Sequence, residues 1–200
     1  MHDEPFARID PSDDARFYSV PRKVVHIEPG AIDALRRVYA EHFPADATVL
    51  DLMSSWRSHL PEGTGRVVGL GMNAEEMLEN PQLDDWVLHD LNEEPSLLFA
   101  DASFDAVACS VSVQYLVHPL EVFADVRRVL TPGGPVIVSF SNRCFPTKAV
   151  AIWLAGGDEE HRKLVRAYLE RSRFGDVVDE RVESPDDPLF VVRGWRPAGV

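Results

Sequence analysis

The chain is 200 residues long, 45% hydrophobic and 26% charged, with 12 glycines and 15 prolines. That length suits one α/β domain, and the composition excludes collagen-like and disordered classes. Thirty-three acidic against twenty basic side chains leave a net charge of −13, which argues against broad nucleic-acid binding, since Lys and Arg must displace phosphate counterions.

Two cysteines, Cys109 and Cys144, are too few for a disulfide framework and fit a reducing compartment. The opening MHDEPFARID carries acids and no apolar core, so neither a secretory signal nor a basic transit peptide is expected. No apolar run reaches the length of a membrane span. The expectation is a cytoplasmic protein with neither nucleic acid nor membrane as a partner, and with no pattern that fixes its oligomeric state.

Residues 1–30 read as a wrapped arm, punctuated by Pro5, Pro11, Pro21 and Pro29, in which only FYSV and KVVHI resemble extended pieces. Ala31 to Phe43 has apolar residues at three- and four-residue steps and predicts a helix ended by Pro44. Ala47 to Met53 and Gly65 to Gly71 are short β-branched runs of the kind that fill parallel sheets. A short helix follows, with Asn73 as N-cap and Glu76 at capping-box spacing. Trp86 to Leu91 and Phe104 to Ser110 are the next two strands.

Pro119 to Leu130 carries one apolar stripe and predicts a helix, closed by the TPGGP turn before a central strand from Pro135 to Ser141. Two helices follow, around Lys148 to Ala155 and from Asp158 to Arg173, the second with acids first and arginines last, as the helix dipole favours. VVDERVES and PLFVVRGWR finish as an antiparallel edge hairpin. Arg36–Arg37 and Arg127–Arg128 are expected on solvated helix faces. Alternating strands and helices imply a mostly parallel α/β sheet, with ligands beyond the carboxyl ends of its strands. The whole of 1–200 is expected to be a single domain, with 1–30 as arm and 47–142 as binding core.

The order VLDL, VVGLG, HDLNEEP and SFDAVACSVSVQYLVHPLEVFADVRRVLTPGGPVIVSFSN resembles the Rossmann-like, class I S-adenosylmethionine-dependent methyltransferases acting on small molecules. The resemblance implies a three-layer fold, S-adenosyl-L-methionine as cofactor and a small-molecule methyl acceptor. It assigns Asp51 to the aminoacyl end of the cofactor, Asp90 and Leu91 to the adenine, and Ser110 to the neighbourhood of the transfer site. Met53, Ser54, Ser55, Gly71, Met72 and Asn73 complete the expected cofactor loops.

Two departures from the family pattern stand out. The glycine-rich turn after the first strand, GxGxG in the family, here reads MSSWR, with Met53, Ser55 and Arg57 at the glycine positions. Gly71 stands where the family commonly places a ribose-binding acid. Two readings follow: a remodelled loop, with Ser54 and Ser55 hydroxyls replacing backbone contacts and Asn73 one ribose bond, or a retained fold that binds another metabolite or a protein partner. On the first, Gly71→Asp maintains or strengthens cofactor binding. A groove open past Ser54, Gly71 and Asp90 favours the first; one filled by Met53, Trp56 or Arg57 favours the second.

On the acceptor side, Tyr115, His118 and Asn142 are candidates. His118 is either a base for an acceptor hydroxyl or a helix-entry residue, while Tyr115 and Asn142 either line the pocket or pack and cap. Methyl transfer from a sulfonium needs orientation more than a strong base, so no catalytic dyad is required and none is assigned. A hydrolase built on Cys144 requires His118 or another base within hydrogen-bond reach. Seven histidines without metal-ligand spacing predict no metal site.

Overall fold

A computed structural model of the protein describes residues 4–185 and 187–199. The chain passes through α1 (Asp14–Tyr18), α2 (Pro29–His42), β1 (Val49–Ser54), β2 (Val67–Gly71), α3 (Ala74–Glu79), β3 (Asp85–Leu88) and β4 (Ala106–Ser110). It continues through α4 (Pro119–Val129), β5 (Pro135–Phe140), α5 (Ala151–Leu154), α6 (Asp158–Arg171), β6 (Gly175–Val182) and β7 (Leu189–Trp195). The strands form one sheet in the order β3-β2-β1-β4-β5-β7-β6. The first five run parallel, and β7 is antiparallel to both of its neighbours.

Successive strand residues point to opposite faces, and both faces are covered. On one, Leu50, Leu52, Val107, Cys109, Val136 and Val138 pack with Val122, Phe123 and Val126 of α4 and Val165 and Leu169 of α6. On the other, Val49, Val67, Ala106, Ala108 and Ile137 meet Ala31, Leu35, Val38 and Tyr39 of α2. This two-sided burial explains why the central strands are continuous apolar runs. The strand order reverses direction between β1 and β4, which places the ligand crevice of an open α/β sheet beyond their carboxyl ends.

Three sequence expectations need correction. Phe17 and Tyr18 lie in α1, and KVVHI forms no strand, because this stretch crosses the sheet's carboxyl edge instead of pairing with a strand. The closing pair is antiparallel as expected, but β7 is interior: Leu189 to Val192 are buried, and only β6 is an edge. Arg128 is no solvated helix residue. It clamps Asp125 and Asp101 and donates to the carbonyls of Leu97 and Phe99, tying α4 to the loop before β4.

The arm is fastened, not draped. Lys148, fully buried, donates from Nζ to the Ser12 carbonyl at 2.8 Å and faces Asp14 at 3.0 Å and Asp10 at 3.1 Å. Asp14 also accepts from Arg8 and, at 2.9 Å, from Asn92 in the loop after β3. Burial raises the Asp14 carboxyl, but hydrogen bonds from Asn92, Arg8 and Lys148 outweigh it and hold the group below its ordinary value. Backbone bonds between Asp10 and Thr147, and between Ala7 and Ala151, complete the attachment.

Candidate active site

The loops after β1, β2, β3 and β4 line a cleft with a cavity volume of about 130 Å3, open to solvent and bordered by the arm. Of the residues expected from sequence, Asp51, Met53, Ser54, Ser55, Gly71, Met72, Asn73, Asp90, Leu91, Ser110 and Tyr115 all line it. His118 and Asn142 do not. His118 is the N-cap residue of α4, and Pro119 at the first helical position carries the chain away from the cleft. No described contact joins Cys144 to His118, and no group of His, Cys, Asp or Glu among the described residues could hold a metal.

The MSSWR turn keeps a glycine-like backbone without glycine. Met53 has φ +59°, in the left-handed region, where the ladder between β1 and β2 shifts register. His59 (φ +57°) and Val111 (φ +47°) share that region and also line the cleft. A β-branched residue such as Val111 is strained there.

The serine hydroxyls give their protons to carboxylates of the protein, which leaves them only as acceptors toward the cleft. Ser54 Oγ donates to Asp51 and Ser55 Oγ to Glu76, each at 2.5 Å. Asn80 then donates to the Ser55 carbonyl and to Ser58 Oγ, both at 2.8 Å, pinning the turn to the end of α3. The turn is a fixed wall. Trp56 belongs to it, donating from Nε1 to the Val24 carbonyl at 3.3 Å, so it stands beside the opening and does not plug it.

Asp51, only 2% exposed, is pushed by burial up to about 7, with hydrogen bonds from Ser54 and Ser58 opposing. A buried carboxylic acid of this kind favours a cationic neighbour, which returns the charged form. Asp90 turns differently. One of its oxygens accepts the Asn92 backbone N–H at 2.8 Å, and the other takes no hydrogen bond from the described residues. It is therefore available to an amino donor in the cleft.

Two further expectations fail for steric and bonding reasons. Gly71 is the last residue of its ladder, opposite Ser54; a Cβ there would overlap the Ser54 carbonyl oxygen and lie 2.8 Å from the Met77 sulfur. No acid fits at this position. Asn73 caps α3 by accepting the Glu76 N–H at 3.0 Å, as the sequence predicts, and donates to the Tyr18 carbonyl at 2.8 Å. Its side chain is thus committed to helix and arm. The capping box is only half formed, since the Glu76 carboxylate turns to Ser55 and to the Arg22 backbone N–H.

The arm, expected only as a wrapped segment, supplies Asp14, Tyr18, Arg22 and His26 to the cleft, and the loop after β5 supplies Phe145; sequence reasoning singled out none of these side chains. An aromatic pair, Phe17–Tyr18, in an otherwise acidic segment was the available signal. Burial, then the nearby Arg143, lowers the His26 imidazole; burial, then Arg36 and Arg57, takes His59 down to about 4. Both are neutral at neutral pH.

Residues 37–138, just over half of the chain, match the family model described as a methyltransferase domain. The chain belongs to the methyltransferase-domain family. It is a class I member by fold, and S-adenosyl-L-methionine is the cofactor that membership brings. The ubiquinone/menaquinone biosynthesis C-methyltransferase UbiE of Roseobacter denitrificans is 28% identical over 171 residues, 85% of this chain and 63% of that protein.

Among solved structures, a SAM-dependent methyltransferase from Aquifex aeolicus superposes with TM-score 0.60 at 16% identity, covering 84% of this chain and 93% of that one. The [4+2]-cyclase SpnF gives TM-score 0.62 at 14% identity, over 84% and 82% of the two chains. The fold of this methyltransferase domain is thus shared with proteins of different named activities. None of its described helices is long and apolar enough to cross a membrane.

Proposed function

We propose that the protein binds S-adenosyl-L-methionine in this cleft and methylates a small-molecule acceptor. The observation that carries the reading is an open cleft past Ser54, Gly71 and Asp90, although side chains replace the glycine-rich turn. The positive φ of Met53 preserves the turn's path, and the side chains of Ser54 and Ser55 are drawn away to Asp51 and Glu76.

The cofactor supplies an electrophilic methyl group on a sulfonium centre. In this reading, Asp51 faces the cationic aminoacyl end, and Asp90 accepts from the adenine amino group beside the buried Leu91. Met53, Ser54, Ser55, Gly71, Met72 and Asn73 form the wall and floor between them, with Gly71 leaving the ribose without the family's acid. Ser110 and Tyr115 border the transfer site at the exit of β4. The arm borders the cleft and helps to orient what binds there, which is what a displacement at carbon requires most. No residue is assigned as base.

Calorimetric titration with S-adenosylmethionine and S-adenosylhomocysteine tests the reading. Micromolar binding supports it; no heat at millimolar ligand overturns it, and leaves the reading in which the fold serves another metabolite or a protein partner.

A further inference from the structure

We propose that Arg22 binds the carboxylate of an acceptor with a flat, apolar body, so that the cleft is built for aromatic or conjugated carboxylic acids. This rests on the methyltransferase reading above and names the substrate class of that same cleft.

Arg22 is held in place before any ligand arrives. Its backbone N–H donates to the buried Glu76 carboxylate, and its Nε and Nη2 both reach the Phe17 carbonyl at 3.3 Å. The guanidinium lies over the Phe17 ring at 3.7 Å and stands 5.9 Å from the Phe145 ring. Its Nη1 donates to none of the described residues, and no carboxylate among them lies within 4.0 Å of the guanidinium.

Other arginines, Arg57 at the same cleft among them, also form no ion pair with the described residues; of the two at the cleft, Arg22 is half-buried and Arg57 exposed. The acids nearest this part of the cleft are otherwise engaged: Asp14 by Arg8, Lys148 and Asn92, and Glu76 by Ser55 and the Arg22 backbone. A half-buried guanidinium without a counter-charge is costly, and a planar fork fixed in this way matches a carboxylate.

The walls beside it are flat and apolar. Phe145 stacks with Tyr115 at 6.0 Å and meets the edge of His26 at 4.8 Å. Phe145, Tyr115 and His26 all line the cleft with Arg22. Planar side chains beside a fixed cation select a ligand with a ring or conjugated body and an acidic end.

The test is titration of matched pairs, benzoate against benzamide and trans-cinnamate against cinnamamide, with and without saturating S-adenosylhomocysteine. The proposal expects each acid to bind at least tenfold more tightly than its amide, and Arg22→Gln to abolish that preference without changing S-adenosylhomocysteine affinity. Equal binding of acids and amides to the unaltered protein, or binding of neither, overturns the proposal whatever the variant does.

A second arm identifies whose carboxylate is held. If Arg22→Gln weakens S-adenosylhomocysteine tenfold but leaves 5′-methylthioadenosine unchanged, the residue serves the cofactor's tail and the proposal fails. Absence of S-adenosylhomocysteine binding to the unaltered protein refutes the methyltransferase reading instead. The acid–amide comparison without cofactor still decides the role of Arg22.

Discussion

Ser54 and Gly71 face each other as the last pair between β1 and β2, and the Ser54 carbonyl occupies the space that a Cβ on Gly71 would need. The glycine is therefore a consequence of the bulged first strand. Gly71→Asp forces the two strand ends apart and should cost about 1–3 kcal/mol, as overpacking does. The variant is expected to melt at a lower temperature and to bind S-adenosylmethionine less well. Unchanged melting with tighter binding would restore the simple family alignment at this position.

Met53→Gly should act in the opposite sense on the ligand. It relieves a left-handed non-glycine residue, worth about 1 kcal/mol or more, and gives up the packing of a half-buried methionine of similar size. Stability measured by urea unfolding is expected to stay within about 1 kcal/mol. Affinity for S-adenosylhomocysteine should rise, since a side chain leaves the wall. A clear loss of affinity would show that the Met53 thioether is itself a ligand contact.

Asp51 makes stability fall as pH rises. Its carboxyl moves from an ordinary 3.8 to about 7 in the fold, so between those values the folded protein holds a proton that the unfolded chain releases. Below pH 3.8 there is no difference between the states. Above pH 7 the full penalty stands, up to about 4 kcal/mol. Asp51→Asn should flatten unfolding free energy between pH 4 and 7 and stabilise at pH 8. In the proposed site, cationic cofactor binding at pH 6 should release a proton, seen as a binding heat that changes with buffer ionisation enthalpy. Parallel pH curves for variant and parent would rule out this account of Asp51.

Asp90→Ala should weaken S-adenosylhomocysteine binding by about tenfold, the worth of one hydrogen bond to a charged acceptor. It should leave melting nearly unchanged, because Asp90 receives one local bond from the Asn92 backbone. Equal affinity in both proteins would remove the adenine assignment.

The sheet was legible because its signals are local. Runs such as PVIVSF can be satisfied only where both faces are covered, and Asn73 caps a helix three residues from the N–H it accepts. Asp51, Asp90 and Ser110, named from the family resemblance, line the cleft because each stands in or just after a strand at the sheet's carboxyl edge. Partners distant in sequence were not legible. Nothing in the order of residues tells that Ser55 answers Glu76, that Arg128 closes onto Asp101 and Asp125, or that Arg22 lacks an acid. Each depends on which oxygen lies nearest after folding.

Lys148→Met should release the arm. It leaves Asp14 buried with fewer compensating donors and removes the anchor of Ser12. A cost of about 3–5 kcal/mol is typical when one member of a buried ion pair is lost. Faster hydrogen exchange across residues 8–18, with the β1, β4 and β5 amides less affected, is the expected signature. Uniform acceleration across the whole chain would mean that the arm and sheet unfold as one unit.

The same anchor sets an order of events during synthesis. Residues 10–14 leave the ribosome well before the ammonium they close upon, since Lys148 lies more than 130 residues later in the chain. Translation supplies about 5–20 residues per second, so residues 10–14 wait roughly 7–27 seconds for that ammonium. Until then the nascent chain can assemble β1, β2 and β4 and pair Asp14 with Arg8 and Asn92, but Asp10 and Ser12 lack the ammonium that fastens them. The arm is thus fully fastened only late, after the fifth strand has been delivered.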